Sequence, residues 1–519
     1  MKLKIIKKAF IASLILFSYA LYSQSNIKEV TIFHWNDLHA HDLPVKALKK
    51  GKGSKNDNYY YYGGISNMLG YLEKYRTPNS LVLNAGDDFQ GSPISNFTRG
   101  KSQIEFLNLF NLDAFVIGNH EFDYSWQSLD TTLNLAKFDY LSANVYISSE
   151  EKTIGKPYIV RNINGVKFGI IGITAPDLED LSLPQNLDGI VMLNTDSVIQ
   201  AGINVLKNQK CNILILLTHI GLDNDLELAK KYYKDIDIIV GGHSHTPLQK
   251  PVNQNGVIIV QAGAYSRYLG ELDLKIDIDK DTVIGYYGKL IETVMDSSIY
   301  DKSAQQKAEQ MIASIGPELN RVIGTLESDW KAGYSVESNL GQFEAEVFRK
   351  KTTSDIGMIN GGGLRKSLLK GDITVSDIWE INPFGNDVVT FEVSGSILKE
   401  MIANNTKLRV KKKEAGGYME ILELAGLSYE YNSKKIIQGS TDFIGNVFVN
   451  DSPVDDNKIY KISTNNYVSS QFKKFFGEVS QIPQFKDTGL IDRDVIIEAV
   501  ENEKNINSIL EKRIVDTAN

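Results

Sequence analysis

The 519-residue sequence has a single cysteine and, after its first residues, no long apolar run. Cys211 cannot form an intrachain disulfide, and zinc sites built on thiolates need more than one cysteine. We interpret it as a small buried side chain. No segment after the N-terminus is apolar over the ~20 residues that a membrane-spanning helix needs. The sequence therefore predicts neither a disulfide framework nor a membrane-spanning domain.

The first 24 residues have the three-part layout of a secretory signal peptide. "MKLKIIKK" is basic, "AFIASLILFSYALY" is a short apolar core, and "SQSN" is small and polar. We predict cleavage near Ser23 or Gln24, and export to the periplasm, the cell surface or the medium. The alternative is an N-terminal membrane anchor, which the shortness of the apolar run disfavours.

Basic residues are outnumbered by acidic ones. The 56 Lys and Arg residues against 64 Asp and Glu residues give a net charge of −8, and removal of the signal peptide with its lysines leaves −12. An acidic globule without a basic stripe is poorly suited to bind a nucleic acid polymer. A small phosphorylated molecule, bound through metals or single arginines, is compatible with this charge.

Length and pattern predict two α/β domains, because the chain is too long for one hydrophobic core. From about residue 28 to 275, β-rich runs such as "SLVLNAG" and "KFGIIGIT" alternate with amphipathic stretches. Such alternation is typical of layered α/β domains. We predict a first domain over 25–295, a linker helix over 296–320 and a second α/β domain over 321–519.

Histidine is absent beyond residue 245. All seven histidines follow predicted strands, beside Asp, Asn or Gly, and they are His34, His39, His41, His120, His219, His243 and His245. Functional groups of α/β sheets collect at the carboxyl ends of the strands. The distribution therefore indicates a site in the first domain.

Five segments offer metal ligands at these strand ends: "NDLH", "GDDFQG", "GNHEFD", "THIG" and "GGHSH". The candidate ligands are Asp37, His39, Asp87, Asn119, His219, His243 and His245. Mixed nitrogen and oxygen donors without thiolate suit Zn, Mn, Fe, Co or Mg. Because a carboxylate can bridge two ions, sharing Asp87 would give two four-ligand shells, as in a two-metal hydrolytic centre. Taken singly, Asp87 could instead cap a helix and Asn119 could shape a turn.

In this order the five segments resemble the signature blocks of the calcineurin-like metallophosphoesterases. "GNHEFD", with "GGGLR" and "NPFGN" downstream, resembles the 5′-nucleotidase branch, which includes periplasmic UDP-sugar hydrolases and ecto-5′-nucleotidases. The resemblance covers nearly the whole mature chain. It implies a four-layer αββα metallophosphoesterase sandwich, followed by a second α/β domain that recognises the substrate.

The resemblance also implies roles for individual residues. One metal would be bound by Asp37, His39, Asp87 and His245, and the other by Asp87, Asn119, His219 and His243. His120 and Asp123 match the catalytic dyad, in which the histidine stabilises the phosphoryl group while a metal-activated water or hydroxide attacks it. His34 and His41 match recurrent positions that we expect to lie behind the ligands.

Substrate recognition is expected in the second domain. Asn360 and Arg365 match substrate-contacting residues of the family, and Phe384 and Phe475 match two aromatics that sandwich the nucleobase. The chain departs from the family pattern at two places. Tyr334 and Trp330 occupy positions where the family has arginines, with Lys331 as a candidate substitute. "SSQFKKF" replaces a "GGDG" turn, so that Phe475 either completes the sandwich or lies on a helix and faces the core.

The resemblance predicts an exported phosphohydrolase with two divalent ions, of Zn, Mn, Mg or Co, that acts on nucleotides. The alternatives are a 2′,3′-cyclic phosphodiesterase, a UDP-sugar hydrolase or another hydrolase of small phosphoesters. An alternative from another class is a surface binding protein with a vestigial metal centre.

Overall fold

The computed structural model describes residues 26–48 and 59–518. The predicted signal peptide lies outside these residues. Within the described ranges, none of the helices combines the length and apolar character needed to cross a membrane. The chain forms two consecutive α/β regions, as predicted, and each has its own hydrophobic core.

The first region contains the following elements. Its strands are β1 (Ile27–Trp35), β2 (Val45–Leu48), β3 (Tyr59–Tyr62), β4 (Ser80–Asn84), β5 (Ala114–Val116), β6 (Asp139–Leu141), β7 (Val145–Ile147), β8 (Lys152–Thr153), β9 (Tyr158–Ile163), β10 (Val166–Ile173), β11 (Ile190–Met192), β12 (Ile213–Thr218), β13 (Ile238–Val240), β14 (Val252–Gln254), β15 (Val257–Val260), β16 (Tyr268–Asp277) and β17 (Thr282–Glu292). Its helices are α1 (Ile65–Tyr75), α2 (Pro93–Thr98), α3 (Lys101–Leu107), α4 (Trp126–Leu133), α5 (Leu178–Leu181), α6 (Thr195–Asn208) and α7 (Leu222–Tyr232), with 3-10 turns at His120–Phe122 and Pro184–Leu187.

Two six-stranded sheets pack face to face at the centre of this region. Their strand orders are β17-β16-β1-β4-β5-β6 and β14-β15-β13-β12-β10-β9. Ile32 and Leu83 of the first sheet share a core with Ile170 and Ile215 of the second. Helices α1, α3 and α4 cover the outer face of the first sheet, and α6 and α7 cover that of the second. The region is therefore the four-layer αββα sandwich that was predicted.

The strands that lead to the predicted ligands are the most buried. Every residue of β4, β5, β12 and β13 is buried, as expected for parallel strands covered on both faces. Strands β1, β4 and β5 run parallel in one sheet, as do β12 and β13 in the other. The carboxyl ends of the strands within each sheet therefore lie along one edge.

A helix lies in the predicted linker, α8 (Lys302–Ser314), and a 3-10 turn at Pro317–Asn320 follows it. The carboxylate of Asp301 caps α8 by accepting the Ala304 N–H at 2.7 Å. Ala304 and Ala308 are buried against the core under the first sheet. The linker helix therefore packs on the first region, while the exact domain boundaries stay a prediction.

The second region continues the numbering. Its strands are β18 (Val322–Leu326), β19 (Ile356–Asn360), β20 (Gly371–Thr374), β21 (Asp387–Ser394), β22 (Leu422–Ala425), β23 (Leu427–Tyr431), β24 (Ile444–Val449), β25 (Ser452–Pro453), β26 (Ile459–Asn465), β27 (Lys486–Ile491), β28 (Asn505–Ile506) and β29 (Ile514–Asp516). Its helices are α9 (Asn339–Lys351), α10 (Val375–Ile381), α11 (Gly395–Glu414), α12 (Ser433–Ile437), α13 (Asn466–Ser470), α14 (Phe472–Phe476) and α15 (Asp492–Glu503), with a 3-10 turn at Gly361–Gly363. A five-stranded sheet in the order β22-β19-β26-β21-β27 forms its centre.

The two regions touch on both sides of the cleft between them. On one side the rings of Phe97 and Trp379 stack, with centroids 4.9 Å apart. On the other side Gln471 Nε2 donates to the Glu179 carbonyl oxygen at 3.1 Å. These contacts place the second region over the ends of the two sheets.

Candidate metal centre and substrate cleft

The candidate ligands lie immediately beyond the strands that carry them. Asp37 follows β1, Asp87 follows β4 and Asn119 follows β5 in the first sheet, while His219 and His243 follow β12 and β13 in the second. The edges of the two packed sheets therefore bring residues more than 200 positions apart into one cluster.

Left-handed backbone conformations shape this cluster. The residues with positive φ include Asp37 at 53°, His39 at 49°, Asp87 at 60°, His243 at 76° and His245 at 53°. Such conformations cost about 1–3 kcal/mol each in non-glycine residues and concentrate at functional sites, where the surrounding structure enforces them. Five of the seven candidate ligands have such a conformation, which indicates that the surrounding structure holds these side chains in place at a functional site.

Gly118 is needed for space rather than for an unusual backbone angle. A Cβ atom at this position would lie 2.3 Å from Asp87 Oδ1. Any larger residue would therefore displace the carboxylate that is predicted to bridge two metals. The first residue of "GNHEFD" thus makes room for the centre.

The donor atoms converge in overlapping groups. Ligand atoms within 4.8 Å of one another form three sets: Asp37, His39 and His245; His39, Asp87 and His120; and Asp87, His219 and His243. His219 Nε2 lies 2.9 Å from Asp87 Oδ2, and His243 Nδ1 lies 2.9 Å from Asn119 Oδ1. The structure thus brings all seven candidate ligands together, with Asp87 common to two of the sets.

The chemistry of this cluster fits bound cations. Asp37 Oδ1 is buried without a hydrogen-bond partner and lies 3.2 Å from His245 Nε2. The Nε2 atoms of His39 and His245 face each other at 3.1 Å. A divalent ion with nitrogen and oxygen ligands would satisfy these three donor atoms at once. The residues present therefore suit the dinuclear site of a metallophosphoesterase.

The electrostatics of the cluster also favour positive charge. Burial opposes the charging of His219, yet Asp87 and Asp37 outweigh it and raise the pKa of His219 to about 10. Burial lowers the pKa of His243 to about 4, with His219 adding to the shift. The paired carboxylates stabilise one cation strongly, and they would do the same for a metal ion.

His120 and Asp123 form a hydrogen-bonded pair beside the donor cluster. The His120 Nδ1–H donates to Asp123 Oδ2 at 2.7 Å, and the His120 backbone N–H donates to Asp87 Oδ1 at 2.8 Å. Burial opposes charge on the imidazole, but Asp123 and Asp87 outweigh it and raise the pKa of His120. The 3-10 turn at His120–Phe122 fixes this pair directly after Asn119.

Glu121, for which the sequence predicts no role, is fully buried and accepts hydrogen bonds from four backbone N–H groups. Its Oε2 accepts from Gly118 at 2.7 Å and from Asp87 at 3.0 Å. Its Oε1 accepts from Asp88 at 2.8 Å and from Phe89 at 3.1 Å. One carboxylate therefore ties the loop that carries Asp87 to the end of β5. The only feature of the sequence that could have indicated this role is the position of a glutamate directly after a predicted strand.

The two other histidines differ in their surroundings. The His41 Nδ1–H donates to the His39 carbonyl oxygen at 2.9 Å, so His41 supports a candidate ligand as predicted. His34 instead packs against Gly270 of the neighbouring strand, where a Cβ atom would lie 2.1 Å from its ring nitrogen. His34 is therefore a packing residue within the sheet.

Arg365 and Phe384 of the second region reach the donor cluster. Arg365 Nη2 lies 3.2 Å from His39 Nε2. The centroid of the Phe384 ring lies 5.7 Å from that of the His120 ring and 5.9 Å from Arg365 Cζ. A positive charge thus lies beside His39 of the donor cluster, and an aromatic ring lies beside His120.

Asn360 is buried and bonded within its own domain. Its Nδ2 donates to Glu420 Oε2 at 2.7 Å, and its Oδ1 accepts from Asn465 at 2.9 Å. These bonds fix the start of the "NGGGLR" loop that carries Arg365. The direct substrate contact of Asn360 stays a prediction.

The structure corrects the predicted aromatic sandwich. Phe475 lies on α14 with 0% of its surface exposed, and it packs in a core with Phe472 and Phe476. Without the glycines of the family turn, the chain between β26 and β27 forms helices, and helix geometry turns this ring inward. Phe475 therefore does not face Phe384 across the cleft.

The residues at the two positions where the family has arginines, and the candidate substitute Lys331, lie in different environments. Trp330 is buried, and its indole N–H donates to Ser508 at 2.8 Å, so it belongs to the core. Tyr334 is 55% exposed. Lys331 is exposed, while a different lysine, Lys474, bonds Glu420 at 3.3 Å beside the "NGGGLR" loop.

The fold is a four-layer sandwich. At the ends of its two sheets, buried imidazoles and carboxylates lie beside a histidine–aspartate pair. This combination of fold and site defines a metallophosphoesterase. Comparison with known families agrees, since the model "Calcineurin-like phosphoesterase" matches residues 30–247 and "5′-nucleotidase, C-terminal domain" matches residues 322–478. The chain belongs to the 5′-nucleotidase family, and it is a phosphoesterase hydrolase of that family.

Individual relatives match along almost their whole length. Protein UshA of Yersinia enterocolitica is 26% identical over 534 residues, with 92% of each chain covered. The 5′-nucleotidase of Diplobatis ommata is 28% identical over 540 residues, covering 95% of this chain and 90% of its own. The crystal structure of a 5′-nucleotidase precursor from Thermus thermophilus superposes with a TM-score of 0.82 at 28% identity, covering 94% of this chain and 99% of that one.

Proposed function

We propose that the protein is an exported two-metal phosphohydrolase that removes phosphate from nucleotides. The observation that carries this proposal is the His120–Asp123 pair, which adjoins the donor cluster, with the Phe384 ring beside His120 and Arg365 beside His39. The similar proteins named 5′-nucleotidase support the choice of substrate class. Export rests on the N-terminal signal sequence.

The two proposed metal shells share Asp87. One consists of Asp37, His39, Asp87 and His245, and the other of Asp87, Asn119, His219 and His243. Two divalent ions bound there would lower the pKa of water, supply the nucleophile and neutralise charge on the phosphate. Zn, Mn, Mg or Co suits this donor set.

His120 is proposed to stabilise the phosphoryl group during transfer. Asp123 accepts the Nδ1–H and so fixes the orientation of the ring, which leaves the Nε2–H of the imidazolium to donate to a phosphoryl oxygen. Asp123 also balances the positive charge of the ring. The backbone N–H of His120 donates to Asp87, so a hydrogen bond fixes the position of the dyad relative to the carboxylate that is proposed to bridge the two metals.

Arg365 and Phe384 are proposed to select the substrate. A guanidinium is permanently charged and binds phosphate or sugar hydroxyl oxygens with planar geometry. The Phe384 face offers stacking to a planar leaving group. We further infer that these residues belong to a recognition domain over 321–519, joined by a linker at 296–320 to the catalytic domain over 25–295.

A second candidate function is the hydrolysis of a 2′,3′-cyclic nucleotide, a UDP-sugar or another small phosphoester. The burial of Phe475 favours keeping this candidate, because one wall of the predicted base sandwich is absent. A vestigial binding protein is disfavoured, since both residues of the dyad and all candidate ligands are present.

The test is a substrate panel with the purified mature chain in Mn²⁺ or Zn²⁺. AMP, UDP-glucose, a 2′,3′-cyclic nucleotide and ribose 5-phosphate are compared by kcat/KM, and we expect AMP to be preferred. His120→Ala should lower kcat by about 10²- to 10⁴-fold while metal content stays the same. Absence of hydrolysis for every member of the panel would show that the proposed function is wrong.

A further inference from the structure

The turn that carries Phe384 is hydrogen-bonded by side chains of both regions. Asn96, on α2 of the first region, donates through Nδ2 to the Pro383 carbonyl oxygen at 2.5 Å. Arg493 of the second region donates to the same oxygen through Nη1 at 3.0 Å. Both lone pairs of this carbonyl are therefore engaged, one by each region, directly before Phe384.

The orientation of the Asn96 amide is fixed by a tyrosine next to the dyad. The Tyr124 hydroxyl donates to Asn96 Oδ1 at 2.6 Å, and Tyr124 directly follows Asp123 in the chain. Because the Pro383 carbonyl oxygen can only accept a hydrogen bond, the NH₂ end of the amide must face it. Two hydrogen bonds of one side chain thus connect the residue after Asp123 with the residue before Phe384.

The two elements that Asn96 connects also meet at the site itself. The centroid of the Phe384 ring lies 5.7 Å from that of the His120 ring. Asn96 is linked to the dyad segment through Tyr124 and to the Phe384 turn through Pro383. A shift of the Pro383 carbonyl would therefore move the Phe384 ring relative to His120.

The residues on either side of Phe384 make its position depend on outside contacts. Gly385 has a left-handed φ of 63°, and a Cβ atom there would lie 2.5 Å from Arg493 Nη2, so only glycine fits. Pro383 has no backbone N–H, which leaves its carbonyl oxygen as its only hydrogen-bonding group. Donors from other elements to this oxygen therefore restrict where the ring lies.

We propose that Asn96 is a positioning residue that holds Phe384 beside His120, and that it thereby favours phosphoesters with a planar leaving group. The inference rests on the proposed phosphohydrolase function, in which Phe384 offers stacking to that group. It gives the first region a part in substrate selection, which the sequence predicts for the second domain alone. One neutral hydrogen bond of this kind corresponds to about 2- to 12-fold in affinity.

The first experiment compares AMP with ribose 5-phosphate in Asn96→Ala. KM for AMP should rise at least about threefold with kcat changed less than about twofold, because the Phe384 ring is displaced while the dyad and the candidate ligands are kept. KM for ribose 5-phosphate, which carries no base, should change less than about twofold. Asn208→Ala, at an exposed position of α6, is the matched control and should follow the wild type.

A double-mutant cycle separates this role from a general loss of structure. Phe384→Ala removes the ring through which Asn96 is proposed to act, so adding Asn96→Ala should then change KM for AMP less than about twofold. Tyr124→Phe removes only the bond that orients the amide and should raise KM for AMP by a smaller factor than Asn96→Ala does. The same increase in both backgrounds, or an equal change for AMP and ribose 5-phosphate, would overturn the inference.

Hydrogen exchange distinguishes failure of this inference from failure of the proposed function, because it needs no turnover. In Asn96→Ala the peptide that contains Phe384 should exchange faster than in the wild type, while peptides of α13, on the other side of the cleft, should not. Unchanged exchange at Phe384 would overturn the inference even in a protein that hydrolyses AMP. Faster exchange in a protein whose wild type hydrolyses nothing would support the positioning role and contradict the proposed function.

Discussion

At the residue scale, the sequence predicted the candidate ligands that the structure brings together, but it did not predict the groups that hold their loops in place. Asp37, Asp87 and His219 could be predicted as candidate ligands because each is a metal-binding residue type that follows a buried strand. The role of Glu121 was not predicted because its hydrogen-bond partners are backbone N–H groups. Almost every residue has such a group, so the sequence does not indicate which ones a side chain binds. The sequence left the orientation of the Phe475 side chain open, because a helix and a glycine turn would point the ring in opposite directions.

Glu121→Gln should weaken metal binding. The amide keeps one acceptor oxygen but directs an NH₂ group at backbone N–H donors, and each lost hydrogen bond to a buried carboxylate contributes about 1.5–3 kcal/mol. We expect metal affinity to fall at least about tenfold and kcat at saturating metal to fall less. Metal titration with parallel kinetics checks this.

Glu73→Gln is the control for this variant, because Glu73 is an exposed residue of α1. It should leave metal affinity and kcat unchanged. If Glu121→Gln bound both ions with wild-type affinity, the carboxylate would not be positioning the Asp87 loop.

At the scale of elements, strand and helix alternation was predictable because buried parallel strands read as continuous apolar runs, as in β12. The sequence did not distinguish helices from a turn at α13 and α14. The glycines that would indicate a turn in the family are absent from this chain. Buried acids on helices are a further feature that sequence does not reveal. Glu344 is buried on α9, where its Oε1 accepts from Asn382 Nδ2 at 2.8 Å.

Glu344→Gln should change the pH dependence of stability. Burial raises the pKa of Glu344 to about 8, against the lesser opposing effect of Asn382. The folded state therefore retains a proton that the unfolded chain loses near its ordinary pKa of about 4, so the contribution of this group to stability falls as pH rises toward 8. The glutamine stays neutral, and its stability relative to the wild type should rise by at least about 1 kcal/mol between about pH 5 and pH 8.

Denaturant unfolding at the two pH values measures this difference. Asp492 and Glu423, which are also acidic and buried nearby, remain in both proteins. Glu503→Gln, at an exposed position of α15, should follow the wild type. Identical pH slopes for Glu344→Gln and the wild type would refute the prediction.

At the scale of the whole molecule, the family and the two α/β regions followed from ordered motifs, but the way the regions meet did not. Phe97 and Trp379 are 282 positions apart, and neither lies in a motif that indicates the other. The Trp379 ring also lies 3.8 Å from the Arg493 guanidinium carbon. This stack fixes one side of the cleft into which Arg365 and Phe384 project.

Trp379→Ala should weaken substrate binding without affecting the metals. An aromatic pair contributes about 0.5–1.5 kcal/mol, so kcat/KM should fall about 2- to 10-fold through KM. Both AMP and ribose 5-phosphate should lose affinity, because Arg365 is proposed to bind the phosphate or sugar hydroxyls that both substrates carry. Kinetics and metal analysis measure the two parts of this prediction, and a fall in metal content would contradict it.

The central claim is that two divalent ions sharing Asp87 enable phosphate release. The most direct measurement is phosphate release from AMP as metal-free protein is titrated with Mn²⁺ or Zn²⁺, alongside Asp87→Asn. We predict that activity rises to a plateau at close to two ions per chain, and that Asp87→Asn stays inactive at the same loading. Phosphate release without added metal, or a full plateau in Asp87→Asn, would contradict the claim.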